Sequence, residues 1–346
     1  MDGMIREGML LGMGNPLLDL SANVDDQFLK KYNLKANDAI LAEDKHMKLY
    51  EELVQNYKVD YIAGGAVQNA LRVAQWVLNK PKVTSFFGCI GRDKFGQILT
   101  DKALQDGVNV QYQHNDKEPT GTCAVLITKN GANRSLCANL AAANCFTPDH
   151  IRLPENKKII QNADYFYISG FFLTVSVESI LEVAQSALQR NKIFIMNLSA
   201  PFLCKFFKTQ QMQTLPYVDI LFGNETEAAE FASEQGLGVK DLHEIAIKIS
   251  ELPKQNTSRP RIVIITQGTN PVILCQGGKT KEFPVVHLPP DQVVDTNGAG
   301  DAFVGGFLAQ YLKSEPLEKC IRCGIWAATE IVKRSGCTFE GPANFE

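Results

Sequence analysis

Two textures of apolar and polar positions alternate along the chain. From Ala163 onward, short apolar runs at 165–168, 193–197, 220–222 and 262–266 carry no regular polar alternation. Such runs suit strands covered on both faces. Segments with apolar residues at helical spacing lie between them, at 177–189, 226–234 and 242–252. Strand and helix in turn predict a mostly parallel sheet with right-handed crossovers. The N-terminal part opens similarly. Residues 9–14 read as a buried first strand ending at glycines, with Asn15, Pro16 and Asp19 in the loop beyond. A charged helical stretch with a turn covers 28–38. Gly64-Gly65 opens a helix over 66–78 with Val67, Leu71, Ala74 and Val77 on one stripe, followed by a strand at 83–90 and a helix at 96–106. The middle differs. Residues 120–128 alternate as a strand, Asn130-Gly131 forms a turn and 134–140 return as a second strand, so a hairpin is expected. The overall expectation is an α/β protein whose larger part carries a small β-rich insertion.

Composition narrows the function classes. The chain has 346 residues, 45% hydrophobic and 21% charged, enough for a sizeable core. A formal net charge of −3 offers no general attraction to nucleic acid or an anionic membrane, so a polyanionic ligand needs a local site. The nine cysteines are odd in number and mostly in apolar surroundings, which favours reduced thiols and a cytoplasmic protein. Residues 1–10 read as no secretory signal, and no apolar run approaches a membrane span.

The chemistry concentrates near the C-terminus, in Val293-Val294-Asp295-Thr296-Asn297-Gly298-Ala299-Gly300-Asp301-Ala302-Phe303. It reads as a short apolar strand, a glycine-rich turn and a helix over 302–312. Gly298 and Gly300 let backbone approach a ligand, and amides at a helix N-terminus suit a phosphate. Asp301 at that terminus could accept a proton from a substrate hydroxyl; the alternative is a helix N-cap. The run is neither G-x-x-x-x-G-K-[ST] nor G-x-G-x-x-G, and it lies too late in the chain for a first dinucleotide-binding unit, which disfavours a nicotinamide-dependent oxidoreductase. A further segment, Asn224-Glu225-Thr226-Glu227, follows a strand and has the form of a capping box. Cys320 and Cys323 share a helical stretch without a second pair at zinc spacing, which favours structural cysteines over a metal site.

Asp-Thr-x-Gly-Ala-Gly-Asp before an apolar helix resembles the C-terminal signature of the ribokinase (PfkB) family of sugar and nucleoside kinases. Gly64-Gly65-Ala66-Val67-Gln68-Asn69 resembles that family's N-terminal signature, and Asn224-Glu225-Thr226-Glu227 its N-x-x-E motif. All three occur in family order, and the likeness extends over essentially the whole chain. Within the family, stretches such as 12–19, 41–46, 139–144, 169–175 and 197–202 resemble the branch that acts on adenosine.

The resemblance implies a ribokinase-like doubly wound, mostly parallel sheet flanked by helices. Residues 1–16, 65–116 and 141–346 would form the large domain, and 17–64 and 117–140 a small β-rich lid. It implies ATP and Mg²⁺ as cofactors, adenosine as acceptor, a monomer, and no nucleic-acid or membrane partner. Asp301 would be the general base, with the amides of Gly298, Ala299 and Gly300 as an anion hole and Arg134 on the transferred phosphate. Asn15, Asp19, Gly64, Gly65 and Asn69 would hold the ribose hydroxyls. Phe171 and Phe202 would sandwich the base, with Leu41, Cys123, Ala138 and Leu140 lining the pocket. Asn224 and Glu227 would position Mg²⁺ through water, while Thr266 and Gly268 would face the nucleotide with Asn297 nearby. Ala39 departs from the glutamine often found in that branch.

Overall fold

The computed structural model describes residues 5–129 and 133–345. Its larger sheet has nine strands, in the order Lys279–Phe283, Asn270–Gln276, Ile262–Gln267, Ile220–Asn224, Ile193–Asn197, Tyr165–Ser169, Leu10–Met13, Thr84–Gly91, Asn109–Asn115. All neighbours are parallel except the hairpin edge that begins at Ile262–Gln267. Leu10–Met13 lies inside the sheet because its residues are apolar or glycine and buried on both faces. From it the chain winds outward to Asn109–Asn115, then returns to the other side at Tyr165–Ser169. The sheet is therefore doubly wound, and the winding reverses beside the first strand.

Each face of this sheet carries its own apolar layer. One joins Ala66–Leu78, Ala299–Leu312 and Leu317–Val332; the other joins Val177–Gln189, Glu225–Glu234 and Leu242–Glu251. Ala299–Leu312 is apolar almost all round because it is enclosed by the two helices beside it and the sheet beneath. Trp76, Trp326 and Phe339 stack on the outside of this layer and fix the C-terminal segment against it.

The second sheet has five strands, in the order Ala39–Leu41, Asn133–Asn139, Thr122–Thr128, Leu17–Asn23, Asp60–Gly64. Its pairing is mixed: Leu17–Asn23 runs parallel to Thr122–Thr128 and antiparallel to Asp60–Gly64. A separate core of Phe28, Leu29, Leu49, Leu53 and Leu126 backs it.

The sequence expectation needs three corrections. Asp19 does not lie in a loop: Leu17, Leu18, Leu20 and Ala22 bury a strand around it. No strand forms at Val293-Val294, where Val294 is 45% exposed. The N–H groups of Val294 and Asp295 both donate to Val332 O at the end of Leu317–Val332, so the segment is tied to a helix end instead. The helix after the glycine turn begins at Ala299 rather than Ala302, with Gly298 as N-cap, so Asp301 is its third residue and not its cap. The expected turn at Asn130-Gly131 lies outside the described residues. No helix among the described residues is long and apolar enough to cross a membrane.

Candidate active site

A cavity of about 280 Å³ opens beyond the C-terminal ends of the parallel strands, where the winding reverses. Doubly wound sheets bind ligands at such reversals, because adjacent crossovers leave on opposite faces and part there. Asn15 follows the first strand, and Ser169, Asn197, Asn224 and Thr266 stand at or near the ends of the next four. The smaller sheet supplies the opposite wall through Asp19, Leu41, Cys123, Arg134 and Ala138.

Gly64 and Gly65 explain how the first signature meets the strand before it. Gly65 caps the helix Ala66–Leu78 at φ 95°, and a Cβ there would lie 2.2 Å from Asn15 O. A Cβ on Gly64 would lie 2.3 Å from the Asp19 carboxylate. Both positions therefore require a bare backbone for Asp19 and Asn15 to approach. One turn into the helix, buried Asn69 donates from Nδ2 to Asp301 Oδ2 at 3.0 Å. The two family signatures, 232 residues apart, thus meet in a single hydrogen bond.

The second signature is held from behind. Asp295 Oδ1 accepts from Asn297 N and Oδ2 from Gly336 N, each at 2.8 Å. Gly298 has φ 77°, and a Cβ there would lie 2.7 Å from Cys337 Cβ. Asn297 ties the glycine turn to two strands of the smaller sheet: Nδ2 donates to Asp19 Oδ2 at 3.3 Å, and Oδ1 accepts from Arg134 Nη1 at 3.1 Å. A Cβ on Gly300 would meet nothing within 4 Å, so this glycine leaves open space at the helix N-terminus.

Burial dominates the charge states. Asp301 faces the cavity, and loss of hydration pushes its pKa up to about 6, against the Asn69 hydrogen bond and the nearby Arg134 charge, which both lower it. Asp19 rises to about 7 through burial, with Asn297 opposing and the Asp301 charge reinforcing. Glu227 rises to about 7, again chiefly through burial. Among the described residues, Asn15 Oδ1 and Arg134 Nε are buried without a hydrogen-bond partner. Both belong to residues lining this cavity, where a hydroxyl donor and an anion would satisfy them.

Asn224 caps Glu225–Glu234: its Oδ1 accepts from Glu227 N at 2.8 Å, and Glu227 Oε2 accepts from Asn224 N at 2.9 Å. The capping box and the cavity wall are the same two side chains. Each Glu227 oxygen accepts a bond from Asn224, and the Ser199 backbone also donates to this carboxylate. No cluster of three or more His, Cys, Asp or Glu side chains suited to a metal occurs among the described residues. Asn224 and Glu227 on the cavity wall are a sparse polar pair, compatible with an ion that keeps most of its water, as Mg²⁺ does.

The apolar end of the cavity holds Phe171, Phe202, Leu41, Ala138 and Leu140. The two rings are 6.3 Å apart and tilted by 44°. A flat base between parallel faces needs about 7 Å, two van der Waals gaps, so a sandwich requires one ring to turn. Three expected residues do not line the cavity: Gly64, packed against the Asp19 carboxylate, Ala299, the first residue of its helix, and Gly268, at the hairpin bend with φ 57°. Asn197, Ser199, Thr296 and Phe303 line it without having been assigned a role. A polar residue directly after an apolar strand, as in Ile195-Met196-Asn197, was the available signal. Cys320 and Cys323 are buried under the neighbouring helix, and Cys323 Sγ accepts from Gln310.

The chain is similar to known proteins along nearly all of its length. It is 52% identical over 339 residues to "Adenosine kinase 2" of Arabidopsis thaliana, covering 98% of both chains. The crystal structure of Anopheles gambiae adenosine kinase in complex with P1,P4-di(adenosine-5) tetraphosphate superposes with a TM-score of 0.96 at 57% identity, covering 98% of this chain and 100% of that one. Adenosine kinase from Schistosoma mansoni in complex with 2-fluoroadenosine superposes at 0.94 with 37% identity, covering 97% and 98%. Residues 26–344 match the pfkB family of carbohydrate kinases, and the chain belongs to that family.

Proposed function

We propose that this protein transfers the γ-phosphoryl group of ATP to the 5′-hydroxyl of adenosine, giving AMP and ADP. One observation carries the reading: a single cavity holds Asp301 at a helix N-terminus beside a glycine turn, the polar set Asp19, Asn69 and Asn297, and an apolar end with two phenylalanines. A phosphate, a ribose and a flat base ask for those three environments in that succession. The likeness to adenosine kinases supports adenosine as the acceptor.

In this mechanism Asp301 accepts the proton of the 5′-hydroxyl as that oxygen bonds to the γ-phosphorus. The bond to the bridging oxygen of ATP breaks, and the electron pair leaves with ADP. A carboxyl near 6 is ionised at neutral pH yet remains an effective acceptor. Amides at the Gly298–Gly300 turn stabilise the transferring group, whose charge spreads over its equatorial oxygens. Arg134 adds positive charge from the other sheet, with Nε free to engage. Asp19, Asn15 and Asn69 hold the ribose hydroxyls, while Thr266 and Asn224 face the nucleotide. Asn224 and Glu227 would hold Mg²⁺ through water, supplying charge neutralisation at the phosphates. We take segments 17–64 and 117–140, which carry the smaller sheet, as a lid that excludes water and limits ATP hydrolysis.

The test is ADP release from Mg·ATP with adenosine, inosine, guanosine, ribose and fructose. Turnover with adenosine well above the others is expected. Preference for a free sugar would overturn the acceptor assignment while leaving the phosphoryl-transfer site intact.

A further inference from the structure

One buried guanidinium that does not line the cavity bonds to segments behind both glycine turns and to Asn69. Arg72 lies on Ala66–Leu78 and is 1% exposed. Its Nε donates to Asp106 Oδ2 at 2.6 Å, a buried ion pair. Its Nη1 donates to three acceptors: Ala63 O at 3.1 Å, Asn69 Oδ1 at 3.2 Å and Cys337 O at 3.2 Å. Ala63 leads directly into the Gly64-Gly65 turn. Cys337 is the residue against which Gly298 packs. Asn69 is the donor to Asp301.

The contact with Asn69 has a chemical consequence. A guanidinium carries donors only, so it can face only the carbonyl oxygen of the Asn69 amide. The NH₂ end is thereby turned to Asp301. Rotated by half a turn, the same amide would present its oxygen to a carboxylate, a repulsive contact. The strength of the arrangement comes from Asp106, which holds the charge in place, and from the ring of Phe339, 5.5 Å away.

We propose that Arg72, anchored by Asp106, is a positioning residue for phosphoryl transfer: it sets the orientation of the Asn69 amide and through it the Asp301 carboxylate, while tying the Gly64-Gly65 turn to the segment behind Gly298. This rests on Asp301 being the base. Outer partners that orient a catalytic group typically matter by roughly 10- to 100-fold.

The test is a double-mutant cycle in kcat between Arg72→Met and Asn69→Ala with Asp106 retained, since Lys102 Nζ still pairs with Asp106 Oδ1 at 3.2 Å after the substitution. Arg72→Met is expected to lower kcat by roughly 10- to 100-fold with Asn69 present, and by a clearly smaller factor with Asn69 already removed, when only the Ala63 and Cys337 ties remain to be lost. The acid limb of kcat/KM should also move to higher pH, because the Asn69 hydrogen bond that favours ionised Asp301 is weakened. Asp19, Arg134, Glu227, Tyr167 and Cys337 also act electrostatically with Asp301, and Arg72→Met leaves all of them in place.

Equal losses in both Asn69 backgrounds would assign Arg72 to folding alone and overturn the proposal, as would an unchanged kcat. If Arg72→Met does not fold, Arg72→Lys keeps a charge beside Asp106 but replaces the fork by a single ammonium. The same coupling is then expected, and its absence overturns the proposal. Wild-type turnover on the acceptor panel reports on the assigned activity separately, so failure of the activity and failure of the coupling are distinguishable.

Discussion

The two ends of the cavity are built differently. At the phosphate end every backbone turn is held from behind: Asp295 secures Asn297 and Gly336, Gly298 rests on Cys337, and Asp301 is reached through Asn69 and Arg72. At the base end, Phe171, Phe202, Leu41, Ala138 and Leu140 are only half-buried and contribute contact surface without side-chain polar bonds. Charge stabilisation depends on donors fixed before the reaction starts, whereas stacking on a flat base tolerates a rotated ring. On the proposed reading the phosphate end is preorganised and the base end adapts, so damage to each should appear in different kinetic constants.

Asp301→Asn tests the rigid end most severely. Removing the proton acceptor while keeping its shape should lower kcat by roughly 10²- to 10⁴-fold, with adenosine affinity measured by calorimetry nearly unchanged. A comparable loss of affinity would mean that Asp301 serves binding, and the contrast between the two ends would fail.

Arg134→Gln should have the next largest effect. The arginine crosses from the smaller sheet to Asn297, and its Nε is buried without a partner. Loss of one preorganised donor on a developing charge costs on the order of 10²-fold in kcat. Steady-state kinetics at saturating ATP should show this with little change in adenosine KM. A change confined to KM would make Arg134 a substrate clamp and move it to the adaptable side.

Preorganisation of buried carboxylates has a cost in stability that pH should expose. Asp19 and Glu227 have folded-state values near 7 and Asp301 near 6, all above the values of a free carboxyl. Between those limits the folded state holds more protons than the unfolded state, so their stabilising contribution is present at low pH and is lost as pH rises through 6 to 7. His114 and His150, held below their ordinary value by burial, act in the opposite direction. Comparison with a variant separates the two. Asp19→Asn should raise the Tm of the ligand-free protein relative to wild type by roughly a few degrees at pH 8, with the gap closing towards pH 5. A gap independent of pH would show that Asp19 is not charged at a cost.

Much of this was legible in the sequence, and the omissions follow a physical pattern. The helix Ala66–Leu78 and the strand Ile193–Asn197 appear with the expected bounds, because strong periodicity and uniform burial leave little ambiguity. Leu17–Asn23 was hidden by Asn15, Pro16 and Asp19, since a polar residue inside a strand looks like a loop until its cavity is known. Val293-Val294 misled in the other direction: two β-branched residues suggest a strand, but the N–H of Val294 goes to the end of a helix. Local motifs carried Asp301, Asn69, Asn224 and Glu227 into one cavity. Arg72 was invisible because its proposed role lies in acceptors at Ala63, Asn69, Asp106 and Cys337, two of them remote in sequence, and no local pattern encodes that set.

The adaptable end gives the mildest prediction. Phe202 lies on the short helix Pro201–Phe206 and is tilted by 44° to Phe171, so the rings are not a parallel pair. Stacking contributes about 0.5–1.5 kcal/mol beyond area burial. Phe202→Ala should therefore raise the adenosine KM by up to roughly tenfold, while kcat stays within about twofold because the phosphate end is untouched. Ribose, tested alongside, has no base to stack and should respond little. If adenosine and ribose weaken equally, Phe202 shapes the cavity as a whole and does not read the base. If kcat falls as far as KM rises, the two ends are mechanically coupled, and the rings take part in bringing the smaller sheet, with Arg134, onto the phosphate.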